Sequence, residues 1–353
     1  MIVDVNDLLY VYEKEVSVNT KNKRGVYNFD KNKMENIYDI KRIIESGNYS
    51  VYKYNIFFIS SPKYRIVMSL NMKDKIINHY ACRYILIPKL EGYLDIRNCA
   101  TRSNMGYDYA INLLKKYIEI NKKYGKFYIL RIDISKYFYS IDHDVLKDLL
   151  KDKLNHYEYN IISSIIDSTN SNYVNDKISI LKEYLTTRDI NRIEEIQKLP
   201  LYNFNKGLPI GNMTSQFLSI FYLYKLDYYI VNFLKLKHFV RYMDDYAIIS
   251  SDRECLKLVL NKITYILKND YKLNINYNKT MILDNYHGFE YLGYVFSVRN
   301  NKTIIKRKKS NKKMTVRRIK RCKYLYDNGY ISFGSYFNSM NNYYKLYNRN
   351  PKT

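Results

Sequence analysis

The sequence predicts an α+β fold in which an antiparallel sheet packs against helices. Three observations support this: apolar residues recur at helical spacing through much of 30–120 and again through 143–198, short β-favouring runs lie between and after them, and the last of these runs form two hairpins. Glycine (11) and proline (5) are sparse, with no linker-like stretch, so we expect sub-domains that pack directly together.

The first extended segments frame a long helical region. Residues 30–120 are predicted to be mostly helical, with a short extended piece at 54–60. Residues 127–134 form an apolar, β-favouring run that contains Asp133 near its end. The pattern therefore places a carboxylate at the carboxyl end of a strand.

The second half alternates helices with hairpins. A charged helical pattern at 143–198 leads to a Gly-Leu-Pro-Ile-Gly loop at 207–211, and a long helix is predicted over 213–233. Two β-like runs, 238–242 and 246–250, flank Met243-Asp244-Asp245, which predicts a hairpin with acids at its tip. A second hairpin is predicted from 290–298 and 302–307, turning at Asn300-Asn301, and residues 308–353 read as a basic helical tail.

Charge indicates a polyanionic partner. The chain carries 59 Lys and Arg against 34 Asp and Glu, a formal charge of +25, and its 42 tyrosines offer rings on which bases can stack. An A/T-biased genome would also enrich Lys, Asn, Ile and Tyr. The charge therefore supports nucleic-acid binding without deciding it.

Cysteine usage and apolar patterning bear on location. The four cysteines are scattered and contain no C-x-x-C pair, so we expect free thiols in a reducing, cytoplasmic setting: Cys82, Cys99, Cys255 and Cys322. The amino terminus lacks the basic flank and apolar core of a secretory signal. No apolar run is long enough to predict a membrane span, so no membrane partner is expected.

Asp244 and Asp245 are adjacent at the predicted hairpin tip. Like charges at close range repel and raise each other's pKa unless a cation compensates them. Mg²⁺ prefers oxygen ligands and needs only one or two carboxylates besides substrate phosphates. Asp133 from another strand would complete a site for two metal ions, one activating the attacking hydroxyl and one stabilising the leaving group. The alternative is that Asp-Asp is simply a polar turn.

Four motifs in order decide between these interpretations: RIDISKYF at 131–138, KGLPIGNMTSQ at 206–216, RYMDDY at 241–246 and GFEYLGY at 288–294. Together they resemble the reverse transcriptase family, and the resemblance extends over about 61–293. It implies a right-hand polymerase fold with an antiparallel palm sheet packed on helices. Fingers would comprise 1–125 with an insertion at 145–200, the palm 126–297, and a basic helical thumb 298–353.

The resemblance also implies roles for individual residues. Asp133, Asp244 and Asp245 would be catalytic and, with the main-chain carbonyl of Ile134, would bind two Mg²⁺ ions, with Mn²⁺ as an alternative. The primer grip would be formed by Tyr291, Leu292 and Gly293. The implied partners are an RNA template, a DNA or RNA primer and dNTPs.

A third set of residues is implied to bind the incoming nucleotide: Lys63, Arg65, Phe138, Ile210, Gly211, Gln216 and Lys279. Lys63 and Arg65 would lie on one face of a strand and neutralise phosphates. Phe138 would clash with a ribose 2′-hydroxyl and so favour deoxynucleotides, the alternative being an ordinary core side chain. Lys279 matches a family lysine that protonates the pyrophosphate leaving group.

Two positions depart from the common family pattern. Ile210 replaces a Gln that contacts the nucleotide, so we expect relaxed fidelity, and Gln216 replaces a Pro. The aliphatic-Gly form resembles reverse transcriptases of bacterial diversity-generating retroelements and antiphage defence. An associated non-coding RNA and an accessory protein are the expected partners, and a mobile-intron enzyme is less expected because we see no appended endonuclease, RNase H or maturase-like region. Two alternatives remain: a defence polymerase making untemplated or protein-primed DNA, and an inactive nucleic-acid-binding scaffold.

Overall fold

The computed structural model describes residues 2–61 and 63–348, with side chains described through residue 344. Nine strands are present: β1 Tyr54–Ile59, β2 Arg65–Leu70, β3 Tyr128–Asp133, β4 Phe239–Tyr242, β5 Asp245–Ser250, β6 Met281–Asp284, β7 Phe289–Tyr291, β8 Tyr294–Arg299 and β9 Lys302–Arg307 in the described part of the chain. They form three antiparallel sheets, with orders β1-β2, β4-β5-β3-β6 and β7-β8-β9.

The helices make up most of the rest. The α-helices are α1 Val5–Tyr10, α2 Ser17–Asn19, α3 Lys23–Asp30, α4 Lys33–Ser46, α5 Met72–Tyr80, α6 Ile87–Leu90, α7 Tyr107–Asn121, α8 Tyr137–Ser140, α9 His143–Lys151, α10 His156–Asp167, α11 Asn172–Arg188, α12 Ile193–Gln197, α13 Met213–Tyr222, α14 Tyr224–Asn232, α15 Arg253–Asn269, α16 Lys309–Asp327 and α17 Phe333–Asn348. Two π-helical turns, Val11–Val16 and Ala81–Leu86, continue α1 into α2 and α5 into α6. No helix among the described residues is both long and apolar enough to cross a membrane.

The four-stranded sheet is buried on both faces, because side chains alternate along each strand. Leu130 and Ile132 of β3 join a core formed with the amino-terminal helices and with α9, α10, α13 and α15. Ile129 of β3 and Ile249 of β5 face the other way, into a second core with α7 and the three-stranded sheet. The predicted α+β fold, an antiparallel sheet packed on helices, is confirmed.

The two-stranded sheet has a smaller core of its own. Ile66 and Met68 of β2 pack with Val174 and Ile178 of α11. The charged helical segment that follows Asp133 therefore returns to cover residues 54–70. The assignment of this segment to the fingers, with the other domain boundaries, stays a prediction.

The structure corrects two elements. The helix predicted over 213–233 breaks at Leu223, whose backbone (φ −102°, ψ 14°) leaves the helical region between α13 and α14. The strand predicted over 290–298 is divided by a tight turn, because Leu292 (φ +47°) and Gly293 (φ +77°) both lie in the left-handed region. The Asn300-Asn301 turn is confirmed, and its positive φ angles of +48° and +56° suit the twist of a two-residue hairpin.

The predicted basic helical tail is a helical hairpin of α16 and α17. It begins directly after β9, and its first turn is tied to the preceding sheet by a hydrogen bond from Lys308 N to the carbonyl of Gly293 (2.9 Å). Residues 349–353, the end of the predicted thumb, lie outside the described residues.

Candidate active site

The three candidate carboxylates come together where β3, β4 and β5 meet. Asp133 ends β3 and lies directly opposite Asp245, the first residue of β5. Asp244 lies in the turn that joins β4 to β5, beside Tyr242, which also pairs with Asp245. Because residues directly opposite in an antiparallel pair have their side chains on the same face, Asp133 and Asp245 project together.

The turn itself is held in an unfavourable conformation. Met243 has φ +57°, a left-handed value that costs a non-glycine residue about 1 kcal/mol or more. Its carbonyl accepts a hydrogen bond from Arg241 Nη1 (3.0 Å), and its sulfur accepts one from the Ser219 hydroxyl (3.5 Å). These contacts fix Asp244 and Asp245 relative to the helices behind the sheet.

Two cations compensate the repulsion between the acids. Lys279 Nζ lies 3.0 and 3.1 Å from the two oxygens of Asp133, and Asn276 Nδ2 donates to the same carboxylate at 3.0 Å. Arg131, two residues before Asp133 on β3, contacts both oxygens of Asp245 at 3.2 Å. Asp244 forms no salt bridge with any residue that the structure describes.

Asp244, which forms no such salt bridge, has the largest pKa shift of the three candidate acids. Burial, followed by the nearby charges of Asp133 and Asp245, raises the pKa of Asp244 to about 6. Burial also raises the pKa of Asp245, although Arg131 opposes that shift. A carboxylate that resists ionisation beside two others is an electrostatic arrangement that a bound cation would relieve.

The donor set is chemically suited to a hard divalent cation. All available ligands are oxygens, from three carboxylates and the main chain, and this is the chemistry that Mg²⁺ and Mn²⁺ prefer. Within 2–61 and 63–348, however, no three His, Cys, Asp or Glu side chains are already gathered around one point. The reason is that Asp133 and Asp245 are turned toward Lys279 and Arg131.

The 207–211 loop connects three of the predicted nucleotide-binding residues. Its Leu208 N donates to the carbonyl of Phe138 (2.7 Å), and its Ile210 carbonyl accepts from Met68 N of β2 (2.8 Å). Gly211 follows with φ +118°, and β2 approaches it closely. The loop therefore joins the segment after Asp133 to the two-stranded sheet.

The remaining predicted nucleotide-binding residues differ in their exposure to solvent. Lys63 and Arg65 are exposed while Tyr64 and Ile66 between and after them are buried, as expected for two cations on one face. Gln216 is exposed on α13. Phe138 is half-buried at the edge of the main core, and Ile210 is half-buried in its loop. Their roles toward a nucleotide stay predictions.

The three residues of the predicted primer grip differ in their burial and in their hydrogen bonds. Tyr291 is fully buried, and its hydroxyl donates to the carbonyls of Asp245 (3.1 Å) and Val240 (3.4 Å). Leu292 and Gly293 form the turn that reaches the surface, and the hydroxyl of Tyr107 donates to the Leu292 carbonyl. The buried Tyr291 side chain thus contacts the acidic hairpin, while the role of Tyr291, Leu292 and Gly293 toward a primer stays a prediction.

A buried ion pair behind the hairpin was missed from the sequence. Arg241 and Asp227 are both fully buried, with Arg241 Nη2 and Nε lying 2.5 and 2.8 Å from the carboxylate. Tyr246 adds a hydrogen bond to the same carboxylate (3.0 Å), and Arg241 also donates to the carbonyl of Ile220 (2.8 Å). A charged residue inside each of two apolar runs, at 224–232 and 239–242, is the signal that could have indicated the pair.

Comparisons with known proteins agree with this geometry. A family model described as reverse transcriptase (RNA-dependent DNA polymerase) matches residues 59–296. The COX1/OXI3 intron 2 protein of Saccharomyces cerevisiae is 24% identical over 332 residues, an alignment that covers 83% of this chain and 38% of the yeast protein. The chain thus spans under two fifths of that relative's length.

Among solved structures, apo telomerase from Candida tropicalis, truncated from its C-terminal domain, is similar with a TM-score of 0.49 and 14% identity, over 78% of this chain and 60% of that one. The family match covers more than half of the chain and contains all three carboxylates, the 207–211 loop and the turn at Leu292. The fold is that of a right-hand polymerase, and the chain belongs to the reverse transcriptase (RNA-dependent DNA polymerase) family.

Proposed function

We propose that the chain is an RNA-directed DNA polymerase that extends a primer by two-metal nucleotidyl transfer. The observation that carries the proposal is the pairing of Asp133 with Asp245 across β3 and β5, with Asp244 beside them and its pKa raised to about 6. Acids that lie near one another at the end of adjacent strands repel, and polymerase chemistry uses such a set to hold divalent ions.

Asp133 and Asp244, with the Ile134 carbonyl, would hold the divalent ions, and Asp245 would add negative charge. When bound, the ions supply activation of the primer hydroxyl and stabilisation of the leaving pyrophosphate. Lys279, whose ammonium group lies 3.0 Å from Asp133, would donate a proton to the leaving pyrophosphate. Lys63 and Arg65, both exposed, would bind the triphosphate.

The loop contacts support the proposed choice of nucleotide. The Phe138 carbonyl accepts a hydrogen bond from Leu208 N of the 207–211 loop, so the main chains of these two predicted nucleotide-binding segments are joined. Ile210 has an aliphatic side chain with no donor or acceptor, so we propose that nucleotide discrimination is relaxed. A misincorporation assay of wild type against Ile210→Gln tests this, and an unchanged error frequency would remove the idea.

The proposed partners are an RNA template, a DNA or RNA primer, dNTPs, an associated non-coding RNA and an accessory protein. The net charge of +25 supports the nucleic-acid partners. Free thiols at all four cysteines support a cytoplasmic location. The motif around Ile210 supports a bacterial retroelement or antiphage-defence setting, while the similarity to a yeast intron protein supports a mobile-intron setting.

Features of the site bear on two alternative functions. A defence polymerase that makes untemplated or protein-primed DNA is favoured by the same departure at Ile210, because a site without the Gln contact depends less on template-directed selection. An inactive scaffold is disfavoured, because a protein that needs no metal gains nothing from a carboxylate with the raised pKa of Asp244.

The deciding experiment is dNTP incorporation with Mg²⁺ on a primed RNA template, comparing wild type with Asp244→Asn/Asp245→Asn. Asp176→Asn, an exposed acid on α11, is the matched control. We expect incorporation that needs template and Mg²⁺ and is lost only in the double variant. Incorporation that persists without template would favour the defence polymerase, and no incorporation with any RNA or primer would overturn the enzymatic proposal.

A further inference from the structure

The α16–α17 hairpin begins beside the three-stranded sheet, and Arg318, near the middle of α16, donates to the Ser61 hydroxyl at 3.2 Å. Lys308 N bonds to the carbonyl of Gly293, so α16 begins beside the primer-grip turn. The helix has 19 residues and is therefore about 28 Å long at the usual rise per residue. At the far end of α16 the chain turns into α17.

Aromatic rings are concentrated at this far end. Tyr326 stacks on Tyr336 with ring centroids 4.5 Å apart, and Phe333 contacts both Tyr326 (6.1 Å) and Phe337 (6.0 Å). Phe333 is 63% exposed, Phe337 53% and Tyr330 70%. We call this group, together with Tyr324, the aromatic tip. A contiguous set of exposed large rings is uncommon on a protein surface and indicates a binding site.

The charge of the helix beside the aromatic tip indicates which kind of ligand the tip binds. The helix that leads to the aromatic tip carries eight basic residues and one acid, Asp327: Lys309, Lys312, Lys313, Arg317, Arg318, Lys320, Arg321 and Lys323. Lys320, Arg321 and Lys323 are exposed and lie within two turns of Tyr326. An apolar protein partner would satisfy the rings but not these charges, whereas a nucleic acid satisfies both.

The combination favours an unpaired strand over a duplex. In a duplex the base faces are stacked on one another, so that they are not available to an aromatic ring on a protein surface. In a single strand each base exposes a face that can stack on an aromatic ring. We propose that the aromatic tip binds an unpaired segment of RNA, with bases on Phe333 and Phe337 and phosphates on Lys320 and Lys323. This deepens the proposed function, and it rests on that function for the identity of the nucleic acid.

The test measures binding without catalysis. Fluorescence anisotropy would follow a short labelled oligouridylate and a blunt RNA–DNA hybrid, without dNTPs, on wild type and on Phe333→Ala/Phe337→Ala. We expect single-strand affinity to fall about tenfold or more, since each stacked base contributes about 1–3 kcal/mol, and hybrid affinity to stay unchanged. Phe333→Trp/Phe337→Trp should retain binding, and Tyr38→Ala, an exposed ring on α4, should have no effect.

Three outcomes would overturn the inference: unchanged oligouridylate affinity, an equal loss for oligouridylate and hybrid, or an altered oligomeric state with unaltered RNA binding, which would assign the tip to a protein partner. Thermal unfolding by circular dichroism checks that the variants fold. Because the assay needs no polymerisation, a chain without polymerase activity would still report on the tip.

Discussion

The hydroxyl of Tyr291 donates a hydrogen bond, 3.1 Å long, to the main-chain carbonyl of Asp245. A second bond of 3.4 Å reaches Val240 on the neighbouring strand. The buried side chain of Tyr291, in β7, is thus hydrogen-bonded to both strands of the acidic hairpin. The turn that follows it, at Leu292 and Gly293, lies at the surface. The predicted primer-grip turn is therefore linked through Tyr291 to the strands that carry the candidate catalytic acids.

Removing this bond should slow catalysis more than it harms the fold. In Tyr291→Phe the ring still fills its site, so we expect a loss of about 1 kcal/mol in the free energy of unfolding by urea. We expect kcat for primer extension to fall about fivefold to tenfold, since small misplacements of reacting groups are costly. Tyr265→Phe, an exposed phenol on α15, is the control. Wild-type kcat in Tyr291→Phe would contradict the mechanical link.

The Arg241–Asp227 pair should dominate the stability of the hairpin. Asp227→Asn leaves a fully buried guanidinium without its charge partner, and we expect a cost of about 3–5 kcal/mol in the free energy of unfolding. Replacing both members with apolar residues, Asp227→Leu/Arg241→Met, should recover part of that loss. If the double variant is less stable than Asp227→Asn alone, the pair has a structural role beyond charge compensation.

Gly211 should tolerate no side chain. A β-carbon there would lie 3.0 Å from Val67 Cγ1 and 3.3 Å from the carbonyl oxygen of Met68, and φ is +118°. Because one of these atoms is main chain, β2 has to move away from the 207–211 loop. We expect Gly211→Ala to lower kcat/KM for dNTPs about tenfold. Gly92→Ala, where no heavy atom lies within 4 Å, should behave as wild type in the same steady-state assay.

Stability without metal should depend on pH through Asp244. Its carboxyl has a folded pKa raised to about 6, above the unfolded value near 3.9. The folded state therefore binds the proton more tightly, so this contribution is complete below about pH 4 and is lost as the pH rises through 6. Relative to Asp244→Asn, wild type in chelator should lose up to about 3 kcal/mol between pH 4 and pH 8.

Chemical denaturation across that pH range measures the difference between the two proteins. Added Mg²⁺ at pH 8 should stabilise wild type more than Asp244→Asn, because the cation compensates the charge that the variant lacks. A pH-independent difference between wild type and variant in chelator would show that the carboxyl titrates normally.

The acidic hairpin was predictable because its signals are local. Two β-favouring runs around Met243-Asp244-Asp245 define the strands, and the Asn300-Asn301 turn is specified by residues that accept positive φ. The four motifs and their order then indicated the family, because its members need the same residue types in the same places for the same chemistry. None of these inferences needed contacts between distant segments.

The errors occurred where distant contacts overrode local preference. Leu223 lies in an apolar run that favours a continuous helix, but the helix is interrupted there. The burial of Tyr291 against β4 and β5 could likewise not be read from its own segment. Lys279 and Asp133 are 146 residues apart, so their salt bridge follows from the pairing of strands and cannot be read from either segment alone.

By itself the sequence determined the family, the α+β class and the three candidate acids at the hairpin, because hydrophobic periodicity and motif chemistry are properties of short segments. Tertiary structure alone decided which cations hold Asp133 and Asp245, which buried pair supports the hairpin, and where the aromatic tip lies. Those depend on which side chains share a sheet face or a helix end, and that is established only when strands from opposite ends of the chain pair and bury their common surface.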